Sequence, residues 1–164
     1  ASADPGAATC TVEIGDLTTG DLPWLAWRSG RVKVWAPPSF GEQCAVLSPE
    51  GDLANGLVLP GLWSDANPAP SSDPDLFLIV FDDGAEISYH FATHKLTVNL
   101  PAGGRADVTA PGGLTINADV TINGNVTIDG KAEASEDVIG GGISLKSHKH
   151  TGVAAGGAQT GAPI

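Results

Sequence analysis

The sequence predicts an all-β protein built in two styles: a small aromatic-cored barrel, then a narrow β-ribbon that closes on copies of itself. Three observations carry this. From Leu96 to Ala134 every even-numbered position is aliphatic or glycine, and every odd position between them is polar, charged, Gly or Pro. Successive side chains of an extended strand point to opposite faces, so the run describes one apolar and one solvated face. All four Trp, the one Tyr and all four Phe lie before residue 92, which ends a conventional core near residue 95. Shortly after the ribbon come His148-Lys149-His150.

Short β-like runs separated by turn chemistry fill the first part, at Thr11 to Ile14, Arg31 to Trp35, Cys44 to Leu47, Gly56 to Leu59, Leu76 to Phe81 and Glu86 to Phe91. No helical period is present. Pro37-Pro38, Ser48 to Asp52, Pro60-Gly61 and Asp82-Asp83-Gly84 are turns, the last joining two strands as a hairpin. Asp65 to Pro74 is a polar, Pro-rich loop. Five or six short strands in about 90 residues predict a small barrel of the oligonucleotide/oligosaccharide-binding (OB) type.

The ribbon follows. It carries a six-residue echo, Thr115 to Val120, Thr121 to Val126 and Thr127 to Ala132. A single-chain left-handed β-helix uses about three such hexads per turn and needs about three turns, so these hexads supply too little. Three chains winding together supply the missing sides, and a homotrimer is expected. From Val138 to Ile164 small residues dominate, while Ile143, Leu145 and Val153 keep a two-residue spacing. That spacing predicts a tapering continuation of the ribbon. The expected domains are therefore 1–95, an OB barrel; 96–137, a trimeric β-helix shaft; and 138–164, an apex.

The net charge is −11. Nucleic-acid binding through phosphate neutralisation is not expected, and the island of Arg28, Arg31 and Lys33 among Trp24, Trp27 and Trp35, which could stack bases, reads better as a strand with solvated flanks. Cys10 and Cys44 sit in apolar runs and read as buried thiols. No stretch is apolar enough to span a bilayer and no signal peptide is visible. The chain has no Met, so Ala1 is read as a processed or truncated start.

On an extended segment His148 and His150 share one face. Three chains bring six imidazole nitrogens into two stacked triangles, an octahedron on the axis. Zinc prefers four ligands, so six suit Fe²⁺, Co²⁺ or Ni²⁺, and availability favours iron, one ion per trimer. A saturated octahedron leaves no position for substrate and acts as a staple. Further axial ions such as calcium have no supporting residue pattern. His90 and His94 read as ordinary strand and turn residues, Asp82-Asp83 as a turn pair, and the Asn and Asp residues at 117, 119, 123, 125 and 129 as a solvated face. No nucleophile or phosphate-loop motif is present, and no enzyme is expected.

In order, Gly15-Asp-Leu-Thr-Thr-Gly-Asp-Leu-Pro-Trp24, Pro38 to Pro49, Gly51 to Trp63, Asp83-Gly84 leading into Glu86 to Tyr89, and Ser147-His-Lys-His150 with Thr160-Gly-Ala-Pro163 are present. Together they resemble the baseplate assembly protein V family, the central membrane-piercing spikes of P2-type contractile phage tails and R-type pyocins. Residues that family places before its first barrel strand are absent. The resemblance implies an OB barrel seated on the tail hub and baseplate, a trimeric β-helix, and an apex holding one iron through six histidines, onto which His148 and His150 map. It implies a structural tail spike that pierces the target outer membrane on sheath contraction, in a particle assembled in the bacterial cytoplasm and released. The alternative is a trimeric receptor- or glycan-binding module on a tail or secretion particle.

Overall fold

A computed structural model describes residues 2–150 together with Gly152 and Gly156. The chain divides into two compact units, 1–108 and 109–164. Strands of the first are β1 (Ser2–Asp4), β2 (Thr9–Thr11), β3 (Glu13–Ile14), β4 (Leu17–Thr18), β5 (Leu22–Pro23), β6 (Gln43–Leu47), β7 (Leu57–Leu62), β8 (Leu76–Val80), β9 (Glu86–His90) and β10 (Lys95–Asn99).

All the ladders are antiparallel. One sheet runs β1-β2-β5, another β10-β9-β8, and β6-β7 and β3-β4 are two-stranded. An isolated parallel bridge between Trp24 and Val58, with Leu25 N–H donating to the Val58 carbonyl at 2.8 Å, ties β5 to β7. The core of this unit sits at that tie: Cys10, Leu22, Trp24 and Val58 are buried, with Val12, Cys44 and Val46 against them. Thr19 is the buried polar residue beside it. Its hydroxyl accepts from Val12 N–H at 2.9 Å and donates to the Gly20 carbonyl at 2.9 Å, so the buried polar atoms are satisfied.

Several elements depart from expectation. Strand β1 was not expected. The Asp4 carboxylate accepts from the N–H groups of Gly6 and Ala7, making the turn that folds β1 onto β2. The expected strand over Arg31 to Trp35 forms no ladder beyond a Ser29–Lys33 bridge, since Pro37-Pro38 supplies no donors to extend it. Trp35 instead rests on Trp24, with ring centroids 5.8 Å apart. Between β6 and β7 the chain makes two 3₁₀ turns, the second capped by Asp52 accepting from Ala54 N–H at 2.9 Å.

The β8–β9–β10 meander is held by the Asp82-Asp83-Gly84 turn expected from the sequence, with Asp83 accepting from Ala85 N–H at 3.0 Å. Its register places Phe77 opposite Tyr89 opposite Leu96, and Ile79 opposite Ile87 opposite Val98. One face of the meander is therefore apolar across all three strands. Leu96 and Val98 of this face are also the first two apolar positions of the alternating run. Phe77, Ile87, Leu96 and Val98 are exposed on this single chain.

From Pro101 to Asp137 the chain forms no ladder with itself among the described residues. Bends fall at Asn123-Gly124, Asp129-Gly130 and Ser135-Glu136, one every six residues, so the hexad echo marks a repeated corner. Leu114, Ile116, Val120, Ile122, Val126 and Ile128 are 57% to 68% exposed. An apolar strip with unpaired backbone on both edges is a surface that other strands can complete.

The second unit contains a hairpin, β11 (Ile139–Gly140) against β12 (Ile143–Ser144). This corrects the expected tapering ribbon. Gly141 and Gly142 have φ of 58° and 83°, the pair of left-handed residues a type I′ turn requires, and they fold the chain back on itself. Val153 and the Thr160 to Pro163 motif lie outside the described residues.

Candidate functional site

The hairpin positions the histidines. After β12 the chain makes a turn over Leu145, Lys146 and Ser147, closed by His148 N–H donating to the Ser144 carbonyl at 3.1 Å. Ser144 Oγ accepts from Ser147 N–H at 2.9 Å and lies 2.9 Å from Ser147 Oγ. Asp137 closes the base from the other side, its Oδ1 accepting from the N–H groups of Val138 at 2.8 Å and Lys146 at 3.1 Å. Hydrogen bonding from Ser144, and then from the backbone of Lys146, Val138 and Leu145, holds the Asp137 carboxyl below the ordinary aspartate range.

His148 and His150 lie outside any ladder, yet the structure brings their rings together, centroids 5.1 Å apart and nearly perpendicular. His148 Nδ1 stands 3.1 Å from the Ser144 carbonyl oxygen and 3.2 Å from that of Leu145. A carbonyl oxygen only accepts, so these two contacts suit a ring with its proton on Nδ1, which in the neutral form leaves the lone pair on Nε2. That is the state in which a neutral imidazole ligates a metal, with its other nitrogen held by backbone. The donor set therefore fits a transition metal. Among the described residues no three His, Cys, Asp or Glu side chains of this one chain converge on a point.

Elsewhere, the candidates resolve into structural roles. His90 closes β9, its Nε2 3.2 Å from Asp73 Oδ2 and its Nδ1 accepting from Thr93 N–H, while His94 sits in the following turn at φ 54°. The two do not converge on a ligand. Cys10 and Cys44 are free thiols lining a cleft of about 610 Å³ with Val12, Phe40, Val46 and Val58. Burial, together with the neighbouring acidic groups, pushes both thiols up. Among the described residues Arg28, Arg31 and Lys33 form no ion pair, and Trp27 is 75% exposed. Sequence reasoning missed Asp137 and Ser144, although a Gly-Gly pair between two short apolar runs is a hairpin signal.

Residues 2–63 match the family described as the type VI secretion system/phage-baseplate injector OB domain. Residues 142–163 match the GpV Apex motif. The chain is 42% identical over 117 residues to the spike protein of Escherichia phage P2, an overlap of 71% of this chain and 54% of that protein. This chain belongs to the baseplate-spike family. It spans about half the length of the phage P2 relative. The apex match of this spike-family chain begins at Gly142, inside the hairpin turn, and takes in both His148 and His150. The OB match ends at Trp63, before the β8–β9–β10 meander. No helix among the described residues is long and apolar enough to cross a membrane.

Proposed function

We propose that three copies of this chain form the central spike of a contractile tail, a structural and non-enzymatic point driven through the target outer membrane when the sheath contracts. One observation carries this reading: the alternating apolar strip from Leu114 to Ile128 lies exposed on a backbone that, from Pro101 to Asp137, forms no ladder with its own chain among the described residues. Three such strips winding together pair the backbone and bury the face. The product is a rod whose stiffness comes from mutual hydrogen bonds and a dry interior. The bends every six residues supply its corners. A rod that transmits axial force needs no active site.

The domains keep their separate tasks in this reading. Residues 1–95, closing as an OB barrel, seat the trimer on the hub and baseplate, as the injector-domain match supports. Residues 96–137 form the shaft, and 138–164 the apex. There His148 and His150 of three chains hold one iron, whose role is to pin the three apices into one point. The particle is assembled in the bacterial cytoplasm and released.

Light scattering on the purified chain tests the assembly. A mass of three times 16.5 kDa at every dilution short of unfolding is expected, and a folded monomer would sink the reading. A glycan array on the same sample tests the receptor-binding alternative, which requires tight, saturable capture that a spike does not show.

A further inference from the structure

We propose that Asp137 is a positioning residue for the apex: it fixes the turn that holds His148 in the Nδ1–H form and so leaves Nε2 as the ligating atom. This rests on the reading of His148 and His150 as iron ligands, but it concerns a residue eleven positions away that touches neither ring.

The chain of contacts is short. Asp137 Oδ1 accepts from Lys146 N–H at 3.1 Å, across the hairpin, and from Val138 N–H at 2.8 Å. Leu145 N–H meanwhile donates to the Val138 carbonyl at 2.9 Å. The peptide groups around Leu145 and Lys146 are thus pinned to the opposite strand. The carbonyl oxygens of Ser144 and Leu145, the two that receive His148 Nδ1, belong to this pinned segment. Ser144 Oγ accepts from Ser147 N–H and fixes the last residue before the imidazole. Without the carboxylate, Lys146 N–H loses its acceptor and the turn is released.

Ligation consequences follow from the imidazole itself. A neutral ring has one N–H and one lone pair, and carbonyls at Nδ1 select which is which. With the turn released the ring samples both tautomers and a wider range of orientations, and only part of that population presents Nε2. Losing the direct hydrogen-bond partners of a ligating histidine lowers metal affinity by about 10- to 100-fold, and releasing the turn that presents these two carbonyls approaches that loss.

The test uses the full chain with histidine labelled in both ring nitrogens, first free of metal and then titrated with Fe²⁺ against a competing chelator. In the metal-free wild type above the histidine titration, the ring nitrogen shifts of His148 should report Nδ1–H. Asp137→Ala should give a tautomer mixture and weaken Fe²⁺ by about 10- to 100-fold, while light scattering shows the same assembly. Asp137→Asn keeps an acceptor oxygen for the Lys146 and Val138 N–H groups and should restore both readouts to near wild type. Two results overturn the proposal: Nε2–H as the main form in the wild type, or an Asp137→Ala protein with unchanged tautomer and unchanged affinity. The wild-type spectrum decides even if Asp137→Ala fails to fold. A wild type that takes up no Fe²⁺ while Asp137→Ala still scrambles the tautomer refutes the metal reading and leaves the positioning role standing.

Discussion

Replacing Ile122 by Asp probes the shared apolar face most sharply. Ile122 is 59% exposed on the single chain, so assembly removes that fraction of an isoleucine side chain from water. Full burial of such a side chain is worth about 1.5–3 kcal/mol, which makes the loss about 1–2 kcal/mol per chain. The larger effect is the carboxylate. An ionised group taken into a dry interior without a partner costs several kcal/mol, and three like charges ring the same level of the axis. Summed over three chains the penalty is on the order of 10 kcal/mol or more, comparable to the whole stability of an ordinary domain. Light scattering should find Ile122→Asp unable to trimerise at any concentration where the wild type does. Thr121→Asp, one residue away on the solvated face, should assemble normally, since exposed substitutions usually stay within about 0.5 kcal/mol. The reasoning fails if the two variants behave alike, whether both assemble or neither does.

Three further outcomes are expected. Thr19→Val leaves the Val12 N–H without its acceptor in the core, and denaturant unfolding should show a loss of about 1–3 kcal/mol; an unchanged midpoint would mean that this hydrogen bond contributes nothing. Because burial raises both thiols, Cys10 and Cys44 should react with a maleimide or aromatic disulfide far more slowly in the folded chain than in denaturant, buried Cys10 slower than half-buried Cys44. Equal rates in the two states would count against the observed core. The Asp137 carboxyl lies below its ordinary value of 3.8 in the folded hairpin, so its contribution is complete above that value and disappears as pH falls through the folded value. Acid titration of wild type against Asp137→Asn, followed through the Val138 and Lys146 amide signals, should show a low-pH transition only in the wild type, whose protonated carboxyl keeps a carbonyl acceptor and so approaches the Asp137→Asn spectrum.

Much of the fold was legible because period-two alternation is a strong signal wherever one face is dry. The strands at Cys44, Leu76 and Glu86 and the turn at Asp82-Asp83-Gly84 fall within a residue or two of their expected places. Strand β1 was hidden because Ser2-Ala-Asp4 has no apolar pattern; its pairing comes from the Asp4 turn and the ladder to β2. Arg31 to Trp35 alternates well yet finds no partner strand, since propensity without a neighbour makes no sheet. At the apex, the His-x-His spacing was readable, although the two residues lie outside any strand. The tautomer was not, because it depends on where the Ser144 and Leu145 carbonyls point, and that is set by a turn whose keystone, Asp137, lies on the far side of a Gly-Gly hairpin.

The central claim is a metal-capped assembly of three chains, and native mass spectrometry paired with elemental analysis addresses it in one sample. The account predicts a single species of three chains carrying one iron, about 0.33 iron per chain, that loses the metal but stays trimeric when His148 and His150 are both changed to Ala, because the ribbon buries far more surface than the tip. A folded monomer, iron at one equivalent per chain, or iron retained by the double variant would contradict it.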